Sequence, residues 1–381
     1  MIDLIQTRRA LHQIPELALH ETETHDYLMH VIAQLPQTWL TVRTIEVLPT
    51  AVLARVTGRQ PTQTLGYRAD MDALPVDETT ELPFSSTHAG ISHACGHDLH
   101  MTVALGILAH FATHQPKDNL IFFFQPAEES HSGGKIAYDA DTFTGDWHVD
   151  ELYGLHDRPN LPAGTIATRI GTLFAGTSEI TIDFTGRTGH AAFPQAANDM
   201  VVAASAFVTQ LQSIVARNIA PTSSAVITIG KFEAGTIRNV IAGAAHLEGT
   251  LRGFTQADIA YLKQRIQELA SGIARSYNCD VHVNLEQGGY YPVVNDAAIT
   301  QDFITYMQDA PVDFERTEPV MTGEDFGYLL HHIPGTMFWL GVGDTTELHT
   351  SAFNPDEHAL QPAVTAMIGY LTHRMQKGTH S

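Results

Sequence analysis

His93-Ala94-Cys95-Gly96-His97-Asp98-Leu99-His100 sets one thiol, three imidazoles and one carboxylate within eight residues. The apolar run Met101–Phe111 follows at once and reads as a buried helix. Packing alone gives no reason for so many soft and borderline donors at the start of such a helix. Cys95 and His97 are two residues apart and can grip one ion or two neighbouring ions, and their types suit zinc, cobalt or manganese.

Outward from this stretch, apolar runs repeatedly end on donors. Leu65-Gly66-Tyr67-Arg68-Ala69-Asp70-Met71-Asp72 reads as a strand delivering two carboxylates. Leu120–Phe124 is a fully apolar run that stops at Gln125-Pro126-Ala127-Glu128-Glu129. Leu152–Leu155 ends on His156, and Met337–Val342 is followed within a short loop by His349. An acid at a strand end is by itself more often a turn residue than a ligand. Their convergence at strand ends, where open α/β sheets build their sites, predicts a metal site. Glu128 and Glu129 are neighbours on one turn, so one can bind metal while the other faces water as a general base. Asp98 is expected to bridge two ions, and Asp70 and Asp72 to orient the base or the ligands.

Upstream, residues 3–35 read as helix broken around Ile14-Pro15-Glu16, with strands at Leu40–Val47 and Ala51–Val56. Between about Ser178 and Gln287 the texture changes. Ile180, Ile182 and Phe184 alternate as a one-sided strand, and Asn198–Arg217 is a helix. Ala225–Phe232 and Ala245–Phe254 are strands, Ile259 to Ile273 repeats at helical spacing, and Val281, Val283 and Leu285 alternate again. This β-α-β-β-α-β order predicts a self-contained unit of the ferredoxin type, inserted into the first domain. The expected boundaries are 1–175 with 290–381 for the catalytic domain and 176–289 for the insert, with glycine-rich hinges at Gly171–Gly176 and Gly288-Gly289. Within the insert, His190 could donate to a developing oxyanion, and Asn239 with Arg252 could hold a substrate carboxylate.

A chain of 381 residues should hold more than one core. Its 44% hydrophobic and 17% charged residues are those of a globular protein. With 21 basic and 42 acidic residues the net charge is −21, which argues against nucleic acid or an anionic membrane as partner. Two cysteines, Cys95 and Cys279, imply no disulfide framework, and Cys279 is expected to open a strand as a buried thiol. The N-terminal residues lack a signal-peptide core and no apolar run approaches bilayer length, so a soluble, cytoplasmic protein is expected. No Gly-x-Ser-x-Gly elbow or phosphate-cradling glycine loop supports a serine hydrolase or a nucleotide-binding protein.

Tyr67–Pro75, His93–His100, Gln125–Glu129, Gly189–Ala192, Met321–Phe326 and Leu348-His349 together resemble the aminoacylase/carboxypeptidase family of metal-dependent amidohydrolases. The likeness runs from about Arg8 to Glu357. It implies an α/β fold with a discontinuous zinc-peptidase-like catalytic domain and an inserted lid or dimerisation domain. It implies two divalent ions on Cys95, His97, Glu129, His156 and His349, Glu128 as proton acceptor, and an active-site aspartate at Asp70 or Asp72. It further implies that His190, Asn239 and Arg252 contact an N-acylated amino-acid substrate, and that the protein is a homodimer. The implied activity is hydrolysis of a linear amide. A broad N-acyl-amino-acid amidohydrolase, a carboxypeptidase and an idle metal-binding protein are the rivals. Two stretches depart from the family pattern: Ser130-His131-Ser132-Gly133-Gly134 after Glu129, and Asp157-Arg158-Pro159 after His156.

Overall fold

A computed structural model describes residues 2–378. The chain divides into two compact units, residues 1–173, 293–318 and 328–381 forming the first, and residues 174–292 and 319–327 the second. The segment 319–327 therefore travels with the second unit, whereas the expected boundaries assigned it to the first. Backbone bonding explains this: Ala175 N donates to Val320 O, and the Arg252 guanidinium donates to Met321 O.

Among its described residues the first unit holds an eight-stranded sheet. Its order is Leu40–Ile45, Leu48–Val56, Asn119–Gln125, Thr64–Asp70, Glu151–Arg158, Gly335–Gly341, Ile166–Thr168, Phe314–Arg316. The four central strands run parallel, with Asp70 level with Gln125 and His156 level with Trp339. Strands covered on both faces must be apolar throughout, and both Thr64–Asp70 and Gly335–Gly341 are buried end to end. Parallel strands bring their carboxyl ends to one edge. The loops carrying Asp72, Glu128 and Glu129, and His349 therefore leave that edge, close to His156. The first two strands form a hairpin through Glu46-Val47, with Ile45 level with Leu48, so the second begins earlier than expected.

Helix His97–Thr113 is buried nearly all round and packs with Leu4–His12 and Leu360–Lys377. It begins at His97, not Met101, which places His97, Asp98 and His100 in its first turn. The expected break after the first helix falls between Leu4–His12 and Thr22–Ala33.

The second unit is a four-stranded antiparallel sheet in the order Ala225–Ala234, Ala244–Gly253, Gly176–Thr185, Asp280–Glu286. Helices Met200–Asn218 and Gln256–Tyr277 complete the β-α-β-β-α-β order, and their apolar faces share a core with Ile180, Ile182 and Phe184. Met200–Asn218 is 19 residues long and apolar enough by composition to cross a membrane, so one apolar helix does reach bilayer length, against expectation. Met200, Ala203, Ala204, Phe207, Leu211 and Ile214 form its buried face, the spacing of a helix lying on a core. Cys279 is half-buried just before its strand, not within it.

Candidate active site

Gly96 caps the N-terminus of helix His97–Thr113 at φ +79°. A Cβ there would fall 1.6 Å from Asp157 Oδ2, so this turn admits only glycine. The tight turn sets Cys95 and His97 beside each other at the parallel edge. Cys95 Sγ lies 3.5 Å from His156 Nε2 and 3.3 Å from His349 Nε2. Glu129 Oε1 lies 3.4 Å from His349 Nε2 and 3.9 Å from His97 Nε2. Cys95, His97 and His156 thus form one group able to hold a metal ion, and Cys95, Glu129 and His349 another, with the thiol common to both. A further group joins His97, Glu128 and Glu129.

The imidazoles are oriented for this task. His97 Nδ1 is 2.8 Å from the Asp72 carbonyl and His156 Nδ1 is 3.0 Å from the Asp157 carbonyl. A carbonyl only accepts, so both rings carry a proton on Nδ1 and turn Nε2 toward the cluster. His97 Nε2 and Glu129 Oε1 are buried without a hydrogen-bond partner. The electrostatics ask for positive charge. Burial, reinforced by Glu129, Glu128, Asp157 and Asp70, pushes the Cys95 thiol well above its ordinary range. Burial opposes a charged His97 ring, but Asp70, Asp72 and Glu129 outweigh it and raise the ring to about 10. Burial, aided by His100, lowers His156 to about 4, which keeps it a neutral donor. Thiol, imidazoles and carboxylate gathered around a cation-deficient space fit divalent metal.

The two candidate aspartates touch different partners. Asp72 Oδ1 accepts the backbone N–H of Glu128 at 3.0 Å, and its Oδ2 accepts that of Glu129 at 2.9 Å. Asp70 instead accepts from Arg68 at 2.7 Å and pairs with His100 Nδ1 at 2.5 Å. His100 Nε2 in turn pairs with Asp157 Oδ1 at 2.5 Å. Burial works against a charged His100, and Asp70 and Asp157 overcome it and raise the ring to about 9. The buried row Arg68–Asp70–His100–Asp157 lies against the ligand rings, with the His100 ring centre 5.2 Å from that of His97, tilted to it, and 5.1 Å from that of His156, edge to face.

Asp98, expected as a bridge between ions, is turned away. It forms an ion pair with Arg8 and bonds to His12 Nδ1, each at 2.8 Å, because successive helix residues point about 100° apart. Burial disfavours its charge, yet Arg8 and His12 hold it well below the usual carboxylate range. Sequence reasoning also missed Glu21, a buried acid whose Oε1 accepts the Ala127 N–H at 2.9 Å. No local signal marked it, since its partner lies 106 residues away.

The expected substrate contacts all lie on the second unit. His190 is exposed on a short ribbon, Gly189–His190 paired with Val240–Ile241, and its Nδ1 accepts the Ala192 N–H. Asn239 is exposed on the turn leading into that ribbon, and its carbonyl accepts the Ala191 N–H at 3.1 Å. Arg252 is half-buried, its guanidinium engaged by Met321 O at 2.8 Å.

Residues 66–373 match the family described as Peptidase family M20/M25/M40. The chain belongs to this family. Within its M20 branch, the chain is 67% identical to the N-acetyldiaminopimelate deacetylase of Lacticaseibacillus casei (strain BL23), over 98% of each chain. It is 60% identical to the protein of that name from Lactobacillus acidophilus, again over 98% of both. Among solved structures, a putative aminohydrolase from methicillin-resistant Staphylococcus aureus superposes with a TM-score of 0.89 at 31% identity, covering 97% of this chain and 96% of that one. The Bacillus subtilis YXEP protein, described as a dinuclear metal-binding peptidase of the M20 family, gives 0.86 at 30% identity over 98% of both chains.

Proposed function

We propose that the protein hydrolyses N-acetyl-LL-diaminopimelate to LL-diaminopimelate and acetate, a step of lysine biosynthesis. The observation that carries the chemistry is the turn on which Glu128 and Glu129 stand side by side. Their backbone N–H groups occupy both oxygens of Asp72, next to the Cys95, His97, His156 and His349 donors. The substrate follows the relatives that share about two thirds of the sequence.

Cys95, His97, Glu129, His156 and His349 would hold two divalent ions, zinc, cobalt or manganese by donor type. Such ions polarise a carbonyl and acidify water. Glu128 takes the proton of the attacking water and passes it to the leaving amine, so the acid returns to its starting state with each turnover. Asp72 is a positioning residue that fixes where Glu128 stands. Asp70 positions His100, and through it the neighbouring rings of His97 and His156. His190, Asn239 and Arg252 are the proposed substrate contacts of the second unit, with His190 donating to the oxyanion. That unit is read as a lid and a dimerisation surface. Its outermost strand Ala225–Ala234 supports the second role, being a sheet edge with Val226 and Phe232 exposed. A cytoplasmic homodimer acting on a small-molecule substrate completes the proposal.

Acetate release from N-acetyl-LL-diaminopimelate, set against N-acetyl and N-benzoyl derivatives of ordinary amino acids with and without prior chelation, tests it. Chelator-sensitive release favouring the diaminopimelate compound is expected. Equal rates on the simple derivatives would overturn the substrate, and no chelator-sensitive release from any of them would overturn the activity.

A further inference from the structure

Two residues after His156 stands an arginine, Arg158. Both residues belong to strand Glu151–Arg158. Side chains alternate along a strand, so Arg158 shares the face of His156, while Asp157 points the other way to His100. The Arg158 guanidinium sits over the Trp339 ring, 5.3 Å from its centre. The same ring meets the edge of His156, with centres 5.6 Å apart. Trp339 thus ties the guanidinium to a proposed metal ligand.

The remaining bonds of Arg158 are to neutral groups. Nε donates to Asn160 Oδ1 at 3.1 Å and Nη1 donates to Thr317 Oγ1. Among the described residues no carboxylate pairs with it. A half-buried guanidinium that no carboxylate neutralises carries an electrostatic cost, and neither an amide nor a hydroxyl offsets that charge. An anion brought by the substrate would. Asn160, Thr317 and Trp339 hold the planar guanidinium still, and this preorganisation favours bidentate carboxylate binding.

We propose that Arg158 binds the carboxylate at the far end of the substrate and so selects a diaminopimelate over an amino acid with a neutral or basic end. This rests on the deacetylase reading above. The spacing agrees. Residues two apart on a strand are separated by about 6.5 Å. The two amino-acid carbons of an extended diaminopimelate, four carbon–carbon bonds apart, are separated by about 5 Å. A substrate whose scissile amide lies at the Cys95 cluster, and which extends along the strand, would bring its second carboxylate within reach of Arg158.

The test compares kcat/KM for N-acetyl-LL-diaminopimelate and for Nα-acetyl-L-lysine, which has the same side chain without the distal carboxylate. Full-length metal-loaded protein is used, with both substrates measured on one preparation. Arg158→Met is expected to lower the ratio of the two about ten- to a hundredfold, mainly through KM. Arg158→Lys, which keeps charge but not the fork, is expected to recover part of it. Because the ratio is internal to each preparation, partial misfolding of a variant cancels. A ratio for Arg158→Met within about twofold of wild type would overturn the proposal. Failure of the deacetylase reading shows separately, as wild-type protein that releases no acetate from the diaminopimelate compound, and it removes this proposal with it.

Discussion

Glu21 reaches across the fold to Ala127, its Oε1 accepting the backbone N–H 2.9 Å away, one residue before Glu128. Ala127 stands at φ +60°, a strained conformation for a residue with a side chain, and this bond holds it there. Glu21 Oε1 also accepts from Leu19 N, and its Oε2 accepts from Thr50. Burial, aided by the nearby Asp72 charge, raises the Glu21 carboxyl from 4.5 to about 7. A raised carboxyl binds more protons folded than unfolded between those values, so its contribution to stability is full below pH 4.5 and is lost as pH rises to about 7. The loss over that window is about 3 kcal/mol. Glu21→Gln keeps the Oε1 acceptor and cannot titrate. Urea unfolding at a series of pH values should show the fall in wild type and a flatter profile in the variant. Parallel profiles would remove Glu21 as its source.

Asp72→Asn should slow turnover while leaving the metal in place. The asparagine carbonyl can accept only one of the Glu128 and Glu129 N–H groups, and its amide confronts the other as donor against donor. An unsatisfied buried donor costs about 1–3 kcal/mol. The expected fall in kcat is therefore about ten- to a hundredfold. Metal content should stay near wild type, since the Asp72 backbone carbonyl still holds His97 Nδ1. Loss of metal equal to the loss of rate would show that Asp72 acts on the ligands instead.

Asp70→Asn should act on stability first. It breaks the buried Arg68–Asp70 pair and removes one of the two anions that hold His100 charged. Breaking a buried ion pair from one side costs about 3–5 kcal/mol. Equilibrium unfolding should register that loss, larger than the loss in Asp72→Asn. The reverse order would assign the buried row to Asp72.

What the sequence made legible follows from how each residue is positioned. The parallel core could be read because strands buried on both faces are apolar throughout, as Leu120–Phe124 shows, and an acid that ends such a run stands out. The ferredoxin-type order could be read because one-sided strands alternate and amphipathic helices do not. Glu21, His100 and Asp157 could not be read, because what they hold is fixed by distant partners and not by neighbours in the chain. Asp98 misled for the opposite reason. Its place beside His97 suggested a shared ion, but one step along a helix turned it to Arg8 and His12.

Chelation should lower stability as well as activity, and the two losses should separate in one variant. Asp70, Asp72, Glu128, Glu129 and Asp157 crowd around Cys95 and His97, and without metal ions their mutual repulsion is met in part by Arg68 and by protons on the imidazoles. Ions that bind only the folded state stabilise it by about 4 kcal/mol at a thousandfold excess over Kd. A chelated sample should therefore melt several degrees lower and recover on adding zinc, cobalt or manganese. Glu128→Ala lacks the proton acceptor but keeps Cys95, His97, Glu129, His156 and His349. It should bind metal near wild-type stoichiometry, show the same thermal shift on chelation, and release no acetate. Retained acetate release by Glu128→Ala would place the base elsewhere. A thermal shift abolished in Glu128→Ala would make Glu128 a ligand, and Glu129 would then be the group to test as the base.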